Sequence, residues 1–275
     1  VPFSIEEDSP ALLRVEQVRR EFATRGGGAF RAVDDVSLDV RRGETLGIVG
    51  ESGSGKSTLG RMIAGLLPPT RGRVLLDGDD VHGGEGRRRR GIWRRLQMVF
   101  QDPYSSLNPR MTVRETLLEP MRNFGIARGD AAEARARQLL DACGLPARSL
   151  DLFPREFSGG QRQRIGIARA LAVRPELIVA DEPVSALDVS VQAQVINLMM
   201  DLQAEFRLTY VFIAHDLAVV RQIADRVGVM HQGRMVELAD SERLFSAPAH
   251  DYTRLLLASS PIPDPVRARR QLEGV

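Results

Sequence analysis

The residues best equipped for chemistry are Gly50-Glu51-Ser52-Gly53-Ser54-Gly55-Lys56-Ser57-Thr58, which fit G-x-x-x-x-G-K-[ST] with Gly50 and Gly55 as the framing glycines. From Ser52 to Gly55 every residue is serine or glycine, so successive backbone N–H groups can turn inward and form an anion nest. A helix beginning near Lys56 adds its positive N-terminal end to the same spot. The chemistry implied is the holding of a nucleotide polyphosphate. Lys56 can reach the outer phosphates, and the Ser57 hydroxyl can sit on Mg²⁺. Lys56 is also the chain's only lysine, since every other one of its 38 basic residues is arginine. A compact ammonium on a slim stem suits a tight loop where a planar guanidinium would not fit in the same way.

Other polar groups stand where short apolar runs give out. Asp181 and Glu182 follow Leu177-Ile178-Val179-Ala180, His215 follows Tyr210-Val211-Phe212-Ile213-Ala214, and Gln101 follows Leu96-Gln97-Met98-Val99-Phe100. Ligands of open α/β sheets gather at the carboxyl ends of the strands, so these side chains are expected to face one site. Asp181 offers oxygen to a hard cation. Glu182 can take a proton from an attacking water or orient it. His215 can contact the terminal phosphate or fix that water, and Gln101 offers an amide to the metal or the water. Ser158-Gly159-Gly160-Gln161 reads as an N-cap with a flexible lead-in, and equally as a second set of N–H groups for an anion. One nucleotide already has its cradle in the first loop, so the second is expected to serve a nucleotide held by another copy. Phe22, just before Thr24-Arg25-Gly26-Gly27-Gly28, reads as readily as a core aromatic as it does a platform for an adenine ring.

Positioning these groups requires strands that alternate with helices. Strands are predicted at 12–18, 32–40, 46–49, 74–76, 96–100, 177–180, 210–214, 226–230 and 234–238. Helices are predicted from the phosphate loop to Leu67, and at 113–124, 131–143, 162–173, 191–206 and 217–224. The alternation argues an α/β fold with a mostly parallel sheet. Gly83 to Arg95 carries six arginines, but Trp93 stands there without interleaved aromatics, so a solvated loop is expected rather than a nucleic-acid patch.

At 275 residues the chain has room for one large domain with a subdomain, and 43% hydrophobic and 27% charged residues are ordinary for a globular protein. A net charge of +2 does not by itself imply nucleic acid. The single cysteine, Cys143, excludes an intrachain disulfide and a cysteine metal cluster, which fits a reducing compartment. No apolar run approaches the ~18 residues that span a bilayer, so membrane association is expected through partners. Val1 at the start suggests a processed or trimmed end, or a piece of a longer polypeptide.

Taken in order, Gly50 to Thr58, Gln101, Phe157 to Gln161, Leu177 to Glu182, Ser185-Ala186-Leu187-Asp188 and His215 resemble the motif set of an ABC transporter ATPase subunit. They stand where that family has its Walker A loop, Q-loop, signature, Walker B, D-loop and switch histidine. Phe22 matches its adenine-stacking aromatic, while Phe157 departs from the commoner leucine. Phe100 to Pro109, Glu182 to Ser190 and Pro248 to Thr253 further resemble the subgroup that powers oligopeptide and dipeptide importers. Many of that subgroup carry C-terminal cysteines for an iron–sulfur cluster. This sequence ends at Val275 without them, and no cluster is expected.

The resemblance implies a P-loop NTPase (RecA-like) core with an N-terminal antiparallel β subdomain and an inserted helical subdomain. The core and β subdomain would take 1–101 and 162–245, the helical part 102–161 and a C-terminal extension 246–275. It implies ATP and Mg²⁺ as cofactors, with Ser57, Gln101 and Asp181 toward the metal and Glu182, His215, Gln101 and Lys56 in catalysis. It implies a head-to-tail pair of ATPase domains, each ATP lying between one copy's phosphate loop and the other's Ser158 to Gln161, with Asp188 crossing the interface. Transmembrane permease subunits and a substrate-binding protein would complete the complex at the cytoplasmic face of the inner membrane. Nucleic acid is not an expected partner. The alternatives are an importer of nickel or other small solutes and a non-transport ABC ATPase acting on DNA or ribosomes. Against the latter, no heptad array lies between the two cradles and no charged linker leads to a second cassette. A regulatory module without turnover is a further alternative, against which Glu182 and His215 stand.

Overall fold

The computed structural model describes residues 11–24, 28–102 and 104–259. Arg25 to Gly27 of the expected turn, Pro103, and the parts of the chain at 1–10 and 260–275 lie outside the described residues. Strands β1 (Ala11–Ala23) and β2 (Ala29–Arg41) pair antiparallel as one long hairpin. With β4 (Arg71–Leu76) and β5 (Asp79–Asp80) they make a four-stranded sheet in the order β2-β1-β4-β5. Both hairpin strands outrun their buried alternation, because backbone pairing continues to Ala23 and Ala29 after the side chains become exposed.

The second sheet is the core. It comprises β3 (Thr45–Val49), β6 (Leu96–Val99), β7 (Leu177–Asp181), β8 (Thr209–Ile213), β9 (Arg226–His231) and β10 (Arg234–Asp240), in the order β10-β9-β3-β8-β7-β6. Every pairing is parallel except β10 with β9. All residues of β3, β7 and β8 are buried, the mark of strands covered on both faces. Helix α1 (Lys56–Ile63) fills the space between the two sheets: Leu59, Met62 and Ile63 share one buried cluster with Val33 and Val36 of β2 and with Val179 and Ile213 of the core sheet. Gly60 allows that closeness, since a Cβ there would lie 2.4 Å from Ile213.

Two predicted elements need correction. The arginine segment is not a loop but helix α2 (Gly86–Arg95), anchored by Ile92, which is 2% exposed. Arginine is a good helix former, and a single apolar anchor suffices on an otherwise solvated helix. Helix α1 stops at Ile63, short of Leu67, because Gly65 turns left-handed at φ +74° and Leu66 points to solvent.

The remaining helices are α3 (Val113–Asn123), α4 (Gly129–Ala142), α5 (Gly159–Leu171), α6 (Val189–Phe206), α7 (Leu217–Ile223), α8 (Ser241–Ser246) and α9 (Asp251–Ser259). Buried side chains of α3, α4 and α5 join those of β7 and β8 in a second cluster. Cys143, at the end of α4, is free and buried there, and burial pushes its thiol up to about 12. None of the described helices is long and apolar enough to cross a membrane.

Candidate active site

Strand register sets the site. Asp181 lies opposite Ile213, Ala180 opposite Val99 and Ile48 opposite Ile213. The carboxyl ends of β6, β7, β8 and β3 are therefore level. Gln101, Glu182, His215 and Gly50 leave the sheet within one or two residues of that common edge.

There the phosphate loop folds back on itself. Gly50, Gly53 and Gly55 have φ of +150°, +80° and +103°, and a Cβ at Gly55 would strike the Ala32 carbonyl oxygen at 2.2 Å. Gly50 and Gly55 are required by backbone conformation and close approach together, and Gly53 by backbone conformation. Ser54 is buried while Ser52 and Gly53 face solvent, and Thr58 is half-buried on the first turn of α1. Lys56, 4% exposed, donates to the carbonyls of Gly50 and Glu51 at 2.7 and 2.8 Å and to Ser54 Oγ at 3.4 Å. Burial holds its ammonium below the usual lysine range, against the opposing pull of the Glu182, Asp181 and Glu51 carboxylates.

Ser57 Oγ donates to Asp181 Oδ1 at 2.9 Å. Burial raises the Asp181 carboxyl above the usual range, while the Ser57 hydroxyl and Arg61 pull it down. A half-buried hydroxyl and a buried carboxylate side by side are oxygen donors of the kind Mg²⁺ takes, so these residues fit that ion. Glu182 is the meeting point of the rest. Its Oε2 accepts Gln101 Nε2 at 3.1 Å and lies 3.2 Å from His215 Nδ1. Its backbone sits at φ +47°, a conformation that costs a non-glycine residue about 1–3 kcal/mol and gathers at functional sites. The Glu182 N–H, donating to the Ile213 carbonyl at 2.9 Å, holds it there. A carboxylate fixed between an amide and an imidazole, beside a lysine and a hydroxyl–carboxylate pair, can polarise water against a bound phosphate. A larger cavity of ≈ 800 Å³, lined by Arg42, Glu176 and Asp225 among others, opens at the far end of the sheet from this machinery.

Other sequence candidates stand apart in the single chain. Ser158 caps α5: its Oγ accepts Gln161 N–H at 3.3 Å and its own N–H donates to Gln161 Oε1 at 3.0 Å. Gly159 and Gly160 let that turn approach Leu187 and Val191, where a Cβ on Gly160 would come within 2.3 Å of Val191. Asp188 is exposed at the start of α6, its side chain capping nothing, next to Val189 at 81% exposure. Phe22 is not a core residue: it is 37% exposed, with the Arg20 guanidinium 4.9 Å from its ring centroid. It pairs across the hairpin with Phe30, 56% exposed, which the sequence reading missed. A phenylalanine on either side of the glycine run, Phe22 before it and Phe30 after it, was the available signal.

The sequence model described as ABC transporter matches residues 33–185, which contain the phosphate loop, Gln101, Ser158 to Gln161 and the Asp181-Glu182 pair. The chain belongs to the ABC transporter family. A second model, described as the C-terminal region of oligopeptide/dipeptide transporters, matches residues 236–274 of this ABC chain. It is 52% identical over 263 residues to the oligopeptide transport ATP-binding protein OppF of Bacillus subtilis, covering 95% of this chain and 86% of that one. It is 52% identical over 274 residues to the probable peptide ABC transporter ATP-binding protein y4tS of Sinorhizobium fredii, covering 97% and 78%. Among solved ABC structures, the dimeric post-hydrolysis state of the ATP-binding cassette MJ0796 with ADP and Pi superposes with a TM-score of 0.75 at 31% identity, covering 83% of this chain and 98% of that one. The cassette cbiO1 of Clostridium perfringens, part of the complex cbiONQ, gives 0.75 at 26% identity, covering 86% and 91%. The expected P-loop α/β fold with an antiparallel N-terminal sheet is the fold of this ABC chain.

Proposed function

We propose that this chain hydrolyses ATP to drive import of oligopeptides or dipeptides through partner membrane subunits. The single observation that carries the ATPase reading is the sharing of one Glu182 carboxylate oxygen by Gln101 and His215, beside Lys56 and the Ser57–Asp181 pair. Glu182 is the general base, held in place by its two polar neighbours. Lys56 leaves the Gly50 and Glu51 carbonyls to neutralise the outer phosphates. Ser57 and Asp181, with Gln101 at the edge, would hold Mg²⁺, which when bound supplies charge neutralisation between the phosphates. Phe22 lends its exposed face to the adenine ring.

Ser158 to Gln161 and Asp188 contact the nucleotide of a second cassette, a reading supported by the exposure of Ser158, Gln161 and Asp188 and by the dimeric MJ0796. The core with its β subdomain, 1–101 and 162–245, closes and opens on ATP. The helical part, 102–161, passes that motion on, and 246–275 is a C-terminal extension, a reading supported by the oligopeptide/dipeptide C-terminal match over residues 236–274. Phe100 and Tyr104, exposed just after β6, present the contact for a permease helix, with Arg162 4.0 Å over the Tyr104 ring. The subunit works peripherally at the cytoplasmic face of the inner membrane, with a substrate-binding protein delivering cargo on the other side.

Peptide cargo is supported by the oligopeptide relatives and the 236–274 match. The test is ATPase activity of the purified native complex, with its co-purifying chains identified, against a panel of peptides, nickel chelates and glycosides. Stimulation by peptides is expected. Stimulation by nickel or a glycoside alone would replace the cargo and leave the importer reading intact.

A further inference from the structure

The C-terminal helix α9 has a direct tie to the phosphate loop. Tyr252, on its first turn and 8% exposed, packs on His231 with ring centroids 3.9 Å apart and planes inclined by 33°. The Tyr252 hydroxyl accepts the backbone N–H of Glu51 at 3.2 Å. That N–H belongs to the peptide unit joining Gly50 to Glu51. The oxygen of the same unit, the Gly50 carbonyl, accepts the Lys56 ammonium at 2.7 Å. One peptide plane at the mouth of the loop is thus held from both ends, by a tyrosine and by the phosphate-binding lysine.

The surroundings leave this plane little freedom. A Cβ on Gly50 would lie 2.1 Å from the carbonyl oxygen of Met230, the residue before His231. Loop mouth, end of β9 and first turn of α9 therefore pack as one unit. Tyr252 is itself fixed from behind. The Glu237 carboxylate on β10 accepts the N–H groups of Ala249 and His250 at 2.8 and 3.0 Å, and Tyr252 N–H donates to His250 Nδ1 at 3.1 Å.

We propose that Tyr252 is a positioning residue for the nucleotide, fixing the Gly50–Glu51 peptide so that ATP affinity depends on the docked C-terminal helix. An arriving polyphosphate draws Lys56 off the Gly50 carbonyl, and the tyrosine hydroxyl is the hold that remains on that plane. A loop already ordered loses less freedom on binding, so the phosphates bind more tightly with the hydroxyl in place. Linkage is reciprocal, so nucleotide binding strengthens the docking of α9 by the same factor. Tyrosine suits the position because its ring packs on His231 while its hydroxyl reaches the Glu51 N–H at the loop mouth. The inference rests on the nucleotide reading alone and not on peptide as the cargo.

The test compares the full-length chain with Tyr252→Phe, which keeps the ring and loses the acceptor. Readouts are MgATP affinity, KM against kcat, and hydrogen exchange at the Glu51 amide without nucleotide. Expected are a Kd and KM for ATP raised about two- to tenfold, the ratio an ordinary hydrogen bond carries, an unchanged kcat and Tm, and faster Glu51 exchange. Tyr252→Ala should add a lower Tm to the same loss of affinity; if it fails to fold, Tyr252→Phe still decides. Wild-type Kd and Glu51 exchange in Tyr252→Phe would overturn the proposal, as would a fall in kcat at constant KM. Absence of ATP binding by the unsubstituted chain would instead overturn the proposed function.

Discussion

Glu182 and Lys56 carry the account at the scale of single residues. Glu182→Gln keeps the shape of the side chain and its neighbours Gln101 and His215 but loses the proton acceptor. ATP binding should persist while turnover falls roughly 10²–10⁴-fold, measured in a single-turnover assay. Near-normal hydrolysis would pass the role to His215 or Gln101. Lys56 makes two short hydrogen bonds and one longer one inside a loop that leaves it 4% exposed. A planar guanidinium cannot reproduce that set, so Lys56→Arg should weaken ATP binding by roughly ten- to a hundredfold, the range for hydrogen bonds to a charged group. Titration with a fluorescent ATP analogue reads this directly.

Elements position these residues, and their ties are testable too. Asp34 on β2 receives Arg234 of β10 at 2.8 Å and Arg19 of β1 at 3.0 Å, and its backbone N–H donates to Gly233 at 2.8 Å. It thereby joins the antiparallel sheet to the core sheet. The Arg234 hydrogen bond, aided by Arg19 and Arg31, holds its carboxyl below the ordinary value of 3.8. Fewer protons are then bound in the folded than in the unfolded state, so this stabilisation is full above pH ~4 and fades as pH falls toward the lowered value. Asp34→Asn should lower Tm at pH 7, and the gap from wild type should close as the pH drops below ~4; calorimetry across pH checks both. The arginine helix α2 makes the opposite prediction. Its Arg88 pairs with Asp79 at 2.9 Å and its Arg89 lies 4.9 Å over the Trp93 ring, contacts away from the phosphate loop, so replacing Arg87 to Arg90 with glutamine should leave ATPase activity intact. Duplex DNA should bind only weakly, with a steep loss in salt, whether or not the arginines are replaced. Specific binding that survives physiological salt would show a function of α2 that the account lacks.

The same elements show what a sequence can and cannot reveal. Strands β3, β7 and β8 were legible because burial on both faces demands continuous apolar runs, and the polar residues that follow had to emerge at the sheet edge. That Gln101, Glu182 and His215 would meet followed from this logic alone. Strand order did not follow, because parallel partners are chosen by packing across distant segments. Helix α2 was misread since its one anchor, Ile92, makes no periodic stripe. Phe22 stayed ambiguous because exposure at the hairpin tip depends on pairing beyond the apolar residues. The Tyr252–Glu51 bond links residues far apart in the chain, and no local pattern announces such a contact.

At the scale of the whole molecule, the proposed function has this ABC cassette act through partner chains. In the proposed function, closure of the site around ATP, with Ser158 to Gln161 and Asp188 supplied by a second cassette, would convert hydrolysis into motion of the surface that carries the exposed Phe100 and Tyr104. The most direct measurement is uptake of labelled oligopeptide into proteoliposomes holding the complete transporter and its binding protein, with MgATP on the cassette side. The account predicts accumulation that requires ATP and is abolished by Glu182→Gln. Peptide uptake that continues unchanged with Glu182→Gln or without ATP would contradict it.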